Sequence, residues 1–147
     1  MRSRSFTPLL ASIILAAPLS SGTAAAQAPA AAPPCAVELE VQNVVPHRGR
    51  VVIAAYTSSE SFFRQPAGGA TRDASVDTTI KVALCDLAGS EVAVIVFQDL
   101  NGNGKLDRNA VGIPSEPWGT SGAGNPFGPP TWDATKVPTR GRVVIAL

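Results

Sequence analysis

The sequence predicts an all-β protein built as an antiparallel β-sandwich. Val37, Leu39 and Val41 alternate with polar residues, which is the two-residue period of a strand with one buried face. The run 92–97 consists of β-branched, alanine and aromatic residues, which predicts the most buried strand of the chain. No segment sustains the apolar period of a helix, so the helical classes are disfavoured.

The first 26 residues predict a signal peptide. Arg2 and Arg4 precede an apolar run over 8–17, and a small-residue segment ends at Ala26, where we expect cleavage. The run is shorter than the roughly 20 residues that cross a bilayer, so no membrane span is expected after cleavage. We therefore expect an exported protein, either periplasmic or extracellular.

Residues 27–34 form an Ala/Pro spacer that we expect to be disordered. Ala32-Pro33-Pro34 before Cys35 does not have the Leu-small-small pattern of a lipoprotein signal, which disfavours lipidation. One folded domain is expected over residues 35–147.

The predicted elements of this domain follow one another as short strands separated by turns. Residues 57–75 are polar and contain a short helical turn at 61–63, and a tight turn is expected at 86–89. Residues 112–135 form an unusually long Gly/Pro-rich loop, of the length that is usually functional or disordered. The pattern fits a small immunoglobulin-like or prealbumin-like sandwich. The predicted strands are 37–42, 51–56, 79–84, 92–97 and 142–147.

The charge of the chain excludes an electrostatic nucleic-acid surface. Loss of Arg2 and Arg4 with the signal takes the formal charge from +1 to −1. The remaining chain has no basic run, so no nucleic-acid partner is expected. The arginines near glycines at strand starts are interpreted as solvated edge charges; they are Arg48, Arg50, Arg140 and Arg142.

Cys35 and Cys85 are the two cysteines of the chain. An even count in an exported protein favours an internal disulfide, which would tie the first strand to the middle of the domain. The alternative of a catalytic thiol lacks support because no histidine follows Cys85.

The segment Asp99–Asp107, directly after the buried strand, predicts a calcium site. Its oxygen-bearing side chains occupy relative positions one, three, five and nine, and Gly104 at position six would supply a sharp turn. The first half matches the calcium-loop pattern D-x-[DN]-x-[DN]-G. The expected ligands are Asp99, Asn101, Asn103, the Lys105 carbonyl and Asp107.

The second half of that pattern is missing. Position twelve, where a helix-loop-helix site has a bidentate glutamate, is Ala110, and Glu116 is the nearest unassigned downstream carboxylate. Two carboxylates and two amides predict a weak site, with a dissociation constant of about 10⁻⁴–10⁻³ M. A plain Asn/Gly turn without metal is the alternative.

No catalytic constellation is recognisable, so a non-enzymatic protein is expected. His47 is the only histidine and is predicted to lie in an exposed turn, which excludes Ser-His-Asp, Cys-His and His-based zinc sets. A hydrolase would need a carboxylate pair from Asp99, Asp107, Glu116 and Asp133. The predicted calcium site already accounts for the acidic residues of the loop, so a hydrolase is the less favoured interpretation.

Trp118 and Trp132 flank the Gly/Pro-rich loop. Exposed tryptophans can stack on sugar rings, which makes a carbohydrate-binding or cell-envelope adhesion module the alternative function. Its partner would be an envelope polysaccharide or a protein. Tryptophans in such loops more often pack the loop onto the core, and we favour that interpretation.

Three ordered motifs resemble a bacterial family of exported proteins, domain-of-unknown-function family 2141. They are the Asp99–Asp107 loop, the stretch Gly112–Ser121 containing Glu116 and Trp118, and the segment Pro129–Ala134. The resemblance covers roughly residues 50–147; it implies a β-sandwich and places Glu116 in the same signature as the loop. The family's usual Leu-Pro-x-Gly-x-Tyr-Ala turn is replaced by 87–93 here, and the cysteine pair is not a family feature.

Overall fold

Eight strands and one helical turn form the part of the chain that the computed structural model describes, residues 37–125 and 128–147. The predicted signal peptide, the spacer 27–34 and Cys35 lie outside the described residues. The elements are β1 Val37–Gln42, β2 Arg50–Tyr56, β3 Gly68–Asp73, β4 Thr79–Leu84, β5 Glu91–Asp99, β6 Trp118–Thr120, α1 Trp132–Thr135, β7 Val137–Pro138 and β8 Gly141–Ala146.

The strands form two sheets, so the all-β sandwich is confirmed. The first sheet has the order β4-β1-β8, and the second has the order β3-β2-β5-β6, with β7 also paired to β5. One pairing departs from the antiparallel expectation, because β1 and β8 run parallel, with Val37 opposite Gly141. The two ends of the domain therefore meet in the three-stranded sheet.

The core lies between the sheets and is built from the alternating apolar positions. Along β1, the side chains of Val37, Leu39 and Val41 are buried, as the two-residue period predicted. In β5, every residue from Val92 to Val96 is buried, which confirms the strand expected to be the most buried in the chain. The core cluster contains Val37, Leu39, Val41, Val44, Val51, Ile53, Ala55, Val82, Leu84, Val92, Val94, Val96 and Ile145.

Two segments in which no strand was predicted contain regular structure. β3 lies within residues 57–75 and forms the edge of the larger sheet, antiparallel to β2. Its sequence, GGATRD, has no apolar pattern, because β3 buries few side chains and is held at the sheet edge by backbone hydrogen bonds. Gly69 is required there, since a Cβ would lie 2.3 Å from the Ile53 carbonyl oxygen.

The Gly/Pro-rich segment 112–135 contains β6 and α1. β6 extends the larger sheet, with Trp118 opposite Phe97, and α1 is capped by the Thr131 side chain. Among the described residues, no helix has the length and apolarity needed to cross a membrane.

Candidate cation-binding loop

Asp99 is the buried anchor of the Asp99–Asp107 loop. The side chain lies at the end of β5, is fully buried, and accepts hydrogen bonds from three loop N–H groups. Oδ1 accepts from Gly102 (2.7 Å) and Asn103 (3.1 Å), and Oδ2 accepts from Gly104 (2.8 Å). Gly104 has a φ of +77°, so the glycine supplies the left-handed turn expected at position six.

Arg50 adds the only ion pair of this carboxylate among the described residues. Its Nε lies 3.9 Å from Asp99 Oδ2, and the arginine side chain is 48% exposed. Residues 50 and 99 are opposite one another in the β2–β5 pairing. Arg50 is exposed at the start of β2, as expected of an edge charge, and the strand register in addition brings it to Asp99.

The amides of Asn101 and Asn103 both reach Asp107. Asn101 Nδ2 donates to Asp107 Oδ2 (2.6 Å), and Asn103 Nδ2 donates to Asp107 Oδ1 (2.9 Å). Each amide oxygen also accepts a backbone N–H two residues later, from Asn103 (3.1 Å) and Lys105 (2.8 Å). The polar side chains at positions three, five and nine thus lie together on one side of the loop.

Glu116 connects the two ends of the loop. Its Oε1 accepts from the Leu100 N–H (2.8 Å), and its Oε2 accepts from the Asp107 N–H (3.1 Å). The residue is 7% exposed. Glu116 therefore folds back onto the loop although it lies nine residues beyond Asp107 in the chain.

A tight hairpin continues from the loop, and we refer to residues 107–115 as the 107–115 hairpin. The Ser115 N–H donates to the Asp107 carbonyl (2.9 Å), and the Asn109 N–H donates to the Ile113 carbonyl (2.8 Å). The Asn109 Oδ1 accepts from the N–H groups of both Val111 and Ile113. These bonds hold the tip of the hairpin in one conformation.

The loop offers oxygen ligands, but not a closed metal cage. Within residues 37–125 and 128–147, no three His, Cys, Asp or Glu side chains are grouped closely enough to hold a metal ion. A carboxylate or amide oxygen that accepts one hydrogen bond retains a second lone pair. Asp99 Oδ2 and the carboxylate oxygens of Asp107 and Glu116 each accept one hydrogen bond and could thus contribute to a cation. Asp99 Oδ1 already accepts two, and the Asn amides would have to rotate to present Oδ1.

The two tryptophans have different surroundings. The ring of Trp132 lies 6.1 Å from the ring of Phe62 in an edge-on arrangement, and Phe62 in turn packs on Tyr56 (5.4 Å). Trp118 lines an open groove of about 610 Å³ together with Phe63, residues of the 107–115 hairpin, Asn125 and Pro129–Pro130. Packing against Phe62 holds α1 to the sandwich, whereas Trp118 borders the groove.

A second polar cluster lies on the outer face of the three-stranded sheet and was not predicted. Glu40 is 7% exposed, accepts from Gln42 Nε2 (2.8 Å) and is bonded to Arg142, with Lys81 Nζ 4.0 Å away. The Gln42 hydrogen bond first, and then the Arg142 hydrogen bond, hold the pKa of Glu40 below its usual value. Arg142 is exposed near the start of β8, as expected of an edge charge, and its ion pair with Glu40 is an addition to that interpretation.

The remaining polar residues add nothing to the loop. His47 is exposed, as expected, and has a φ of +57° in the turn after β1. Asp133 is exposed and pairs with Lys136 (3.2 Å). Cys85 directly follows β4, while Cys35 lies outside the described residues, so the disulfide stays a prediction.

The described residues define a small β-sandwich with an Asp/Asn/Gly loop after its central strand and a glutamate folded back onto that loop. A sequence profile for uncharacterized proteins conserved in bacteria, DUF2141, matches residues 39–145. The chain belongs to this family, which confirms the resemblance seen in its motifs. Neither the curated proteins nor the solved structures include a match.

Proposed function

We propose that the chain is an exported, non-enzymatic module whose Asp99–Asp107 loop binds a calcium ion with a structural role. The family description names no catalytic activity. Residues 1–26 have the three parts of a secretory signal, which supports export. The ion would fix the loop and the segment after it against the sandwich, where a partner surface could form.

The convergence of oxygen-bearing side chains at Asp107 carries this proposal. Each carboxylate oxygen of Asp107 lies within 2.9 Å of a side-chain amide nitrogen, Oδ2 near that of Asn101 and Oδ1 near that of Asn103. Calcium takes six to eight oxygens at about 2.3–2.6 Å and tolerates irregular geometry. Rotation of each amide about its last side-chain torsion would exchange the donor NH₂ for an oxygen ligand, while Glu116 closes the loop from the other side.

A calcium ion would offset negative charge that the hydrogen bonds of the loop leave in place. Asp99 and Asp107 lie in the loop, Glu116 folds back onto it, and Arg50 is the one cation paired with these carboxylates among the described residues. A divalent cation would offset the remaining negative charge at short distance. The arrangement is therefore one that calcium would stabilise without a change of fold.

Thermal unfolding in chelator and then in about 10 mM calcium tests the proposal. With a dissociation constant of about 10⁻⁴–10⁻³ M, calcium would stabilise the native state by about 1.4–2.7 kcal/mol, a shift of several degrees. Magnesium should shift the melting temperature less, because it demands octahedral geometry at shorter distances. An identical melting temperature in chelator and in calcium would remove the proposal.

Asp107→Asn is the diagnostic variant. Asp99 is unsuitable, because its carboxylate also accepts three backbone hydrogen bonds and its loss would lower stability without any metal. Asp107 is half-buried and its carboxylate bonds only to the two amides, so the variant should fold and lose the calcium-dependent shift. Asp77→Asn is the matched control, since Asp77 is exposed and lies outside the loop.

A carbohydrate-binding or envelope-adhesion module is the second candidate. Trp118 favours it, because this ring lines the open groove, whereas Trp132 packs on Phe62. A sugar stacked on Trp118 would change the tryptophan fluorescence in wild type and in Trp132→Phe, but not in Trp118→Phe. An unchanged spectrum across a broad glycan panel would exclude this candidate.

A further inference from the structure

The tip of the 107–115 hairpin presents bare aliphatic side chains to solvent. Val111 is 78% exposed and Ile113 is 59% exposed, with Gly112 between them at a φ of +83°. Phe63, which is 50% exposed, borders the same groove. Three of the five large hydrophobic side chains that are exposed in the described part of the chain therefore lie in one place. Clustered exposure of this kind marks an interaction surface, whereas scattered exposed residues need no explanation.

The hairpin is ordered without a partner. The Gly112 N–H donates to the Asn109 carbonyl (2.9 Å), and Arg108 Nη1 donates to the Gly112 carbonyl (3.0 Å). Residues 108 and 114 also form an isolated antiparallel bridge at the base. Since the tip is already fixed, docking it would cost little conformational entropy.

Two basic side chains lie at the base of the hairpin and in the chain before it, and Arg108 lines the same groove as Val111 and Ile113. Lys105 and Arg108 are exposed, and neither forms an ion pair with another described residue. Asp107, between them, keeps its negative charge, because the Asn101 and Asn103 amides that bond to it are neutral, so one net positive charge remains among these three residues. An exposed aliphatic tip with a net positive charge at its base is complementary to a surface that is apolar inside and anionic outside.

We propose that the 107–115 hairpin docks on an anionic lipid surface, with Val111 and Ile113 entering the boundary between headgroups and acyl chains and Lys105 and Arg108 contacting the headgroups. Interfacial binding of this kind scales with the apolar area inserted and with attraction between basic residues and anionic lipid. The short projecting tip suits a lipid boundary better than a protein interface, which normally buries at least about 1,000 Å². This proposal does not depend on calcium.

Vesicle co-sedimentation in chelator tests the proposal. The apolar run 8–17 could itself bind lipid. The assay therefore uses protein that lacks this run, as verified by its intact mass. We expect binding to phosphatidylcholine vesicles that contain phosphatidylglycerol, and weaker binding to phosphatidylcholine alone. Val111→Ser/Ile113→Ser should weaken the partition coefficient about tenfold or more, because two inserted side chains are lost. Lys105→Gln should weaken binding to the anionic vesicles and reduce its salt dependence.

Val76→Ser is the matched control for Val111→Ser. Val76 is also exposed, at 68%, but lies between β3 and β4. The same substitution should leave the partition coefficient unchanged there and lower it severalfold at position 111, with equal melting temperatures. Absence of wild-type binding to anionic vesicles, or equal effects of the two substitutions, would overturn the proposal. Absence of lipid binding combined with hairpin-dependent binding of a protein or a glycan would overturn it equally.

Discussion

Glu116 Oε2 lies 3.1 Å from the backbone nitrogen of Asp107 and accepts its hydrogen bond. The other oxygen of the same carboxylate accepts from the Leu100 N–H (2.8 Å). One buried carboxylate therefore joins the first turn of the candidate loop to the start of the 107–115 hairpin. Because charge-assisted hydrogen bonds are stronger than neutral ones, this contact should order the loop even without a metal.

Replacing Glu116 should release two specific amides. In Glu116→Ala, the N–H groups of Leu100 and Asp107 lose their acceptor, so their hydrogen exchange in chelator should accelerate about tenfold or more, corresponding to roughly 1.4 kcal/mol of local stability. Amide exchange measured residue by residue by NMR checks this. Glu38→Ala, at an exposed position of β1, is the control. Unchanged protection of Leu100 and Asp107 in Glu116→Ala would show that the carboxylate does not order the loop.

The sequence predicted five strands because their side chains carry a pattern. The alternation of apolar and polar residues in β1 and the β-branched run in β5 both indicate buried side chains, and these apolar positions are buried in the structure. β3 could not be predicted in this way, because its GGATRD sequence pairs through backbone groups and buries little. The parallel pairing of β1 with β8 is a contact between distant segments, and no local pattern encodes it.

The spacing of the Asp99–Asp107 loop identified its polar residues but not their partners. The left-handed φ of Gly104 follows from its position in the motif. By contrast, the contact of Arg50 with Asp99 depends on the β2–β5 register, and that of Arg142 with Glu40 depends on the β1–β8 pairing. Such ion pairs arise from tertiary structure, which explains why charges at strand ends were interpreted as solvated.

A Cys35–Cys85 disulfide is expected from the even cysteine count of an exported chain. Val37 is paired with Leu84, so the sequence places Cys35 two residues before one member of that pair and Cys85 one residue after the other. A bridge closing about 50 residues would stabilise the fold by roughly 3–4 kcal/mol. Intact mass before and after reduction should differ by two hydrogens. Cys85→Ser should lower the melting temperature of the oxidised protein to that of the reduced wild type; equal melting temperatures of oxidised and reduced wild type would contradict the bridge.

The Glu40 cluster should make stability depend on pH in acid. Hydrogen bonds from Gln42 and Arg142 lower the folded-state pKa of Glu40, so its contribution is present above the ordinary glutamate pKa of about 4.3 and is lost as the pH falls through the folded value. Denaturant unfolding of wild type and Glu40→Gln from about pH 7 to pH 3 checks this. The stability advantage of wild type should be constant near neutral pH and shrink in acid, whereas Glu38→Gln, also on β1, should retain the wild-type pH dependence. An advantage that stays constant down to pH 3 would mean that the ionised carboxylate contributes no stability through this cluster.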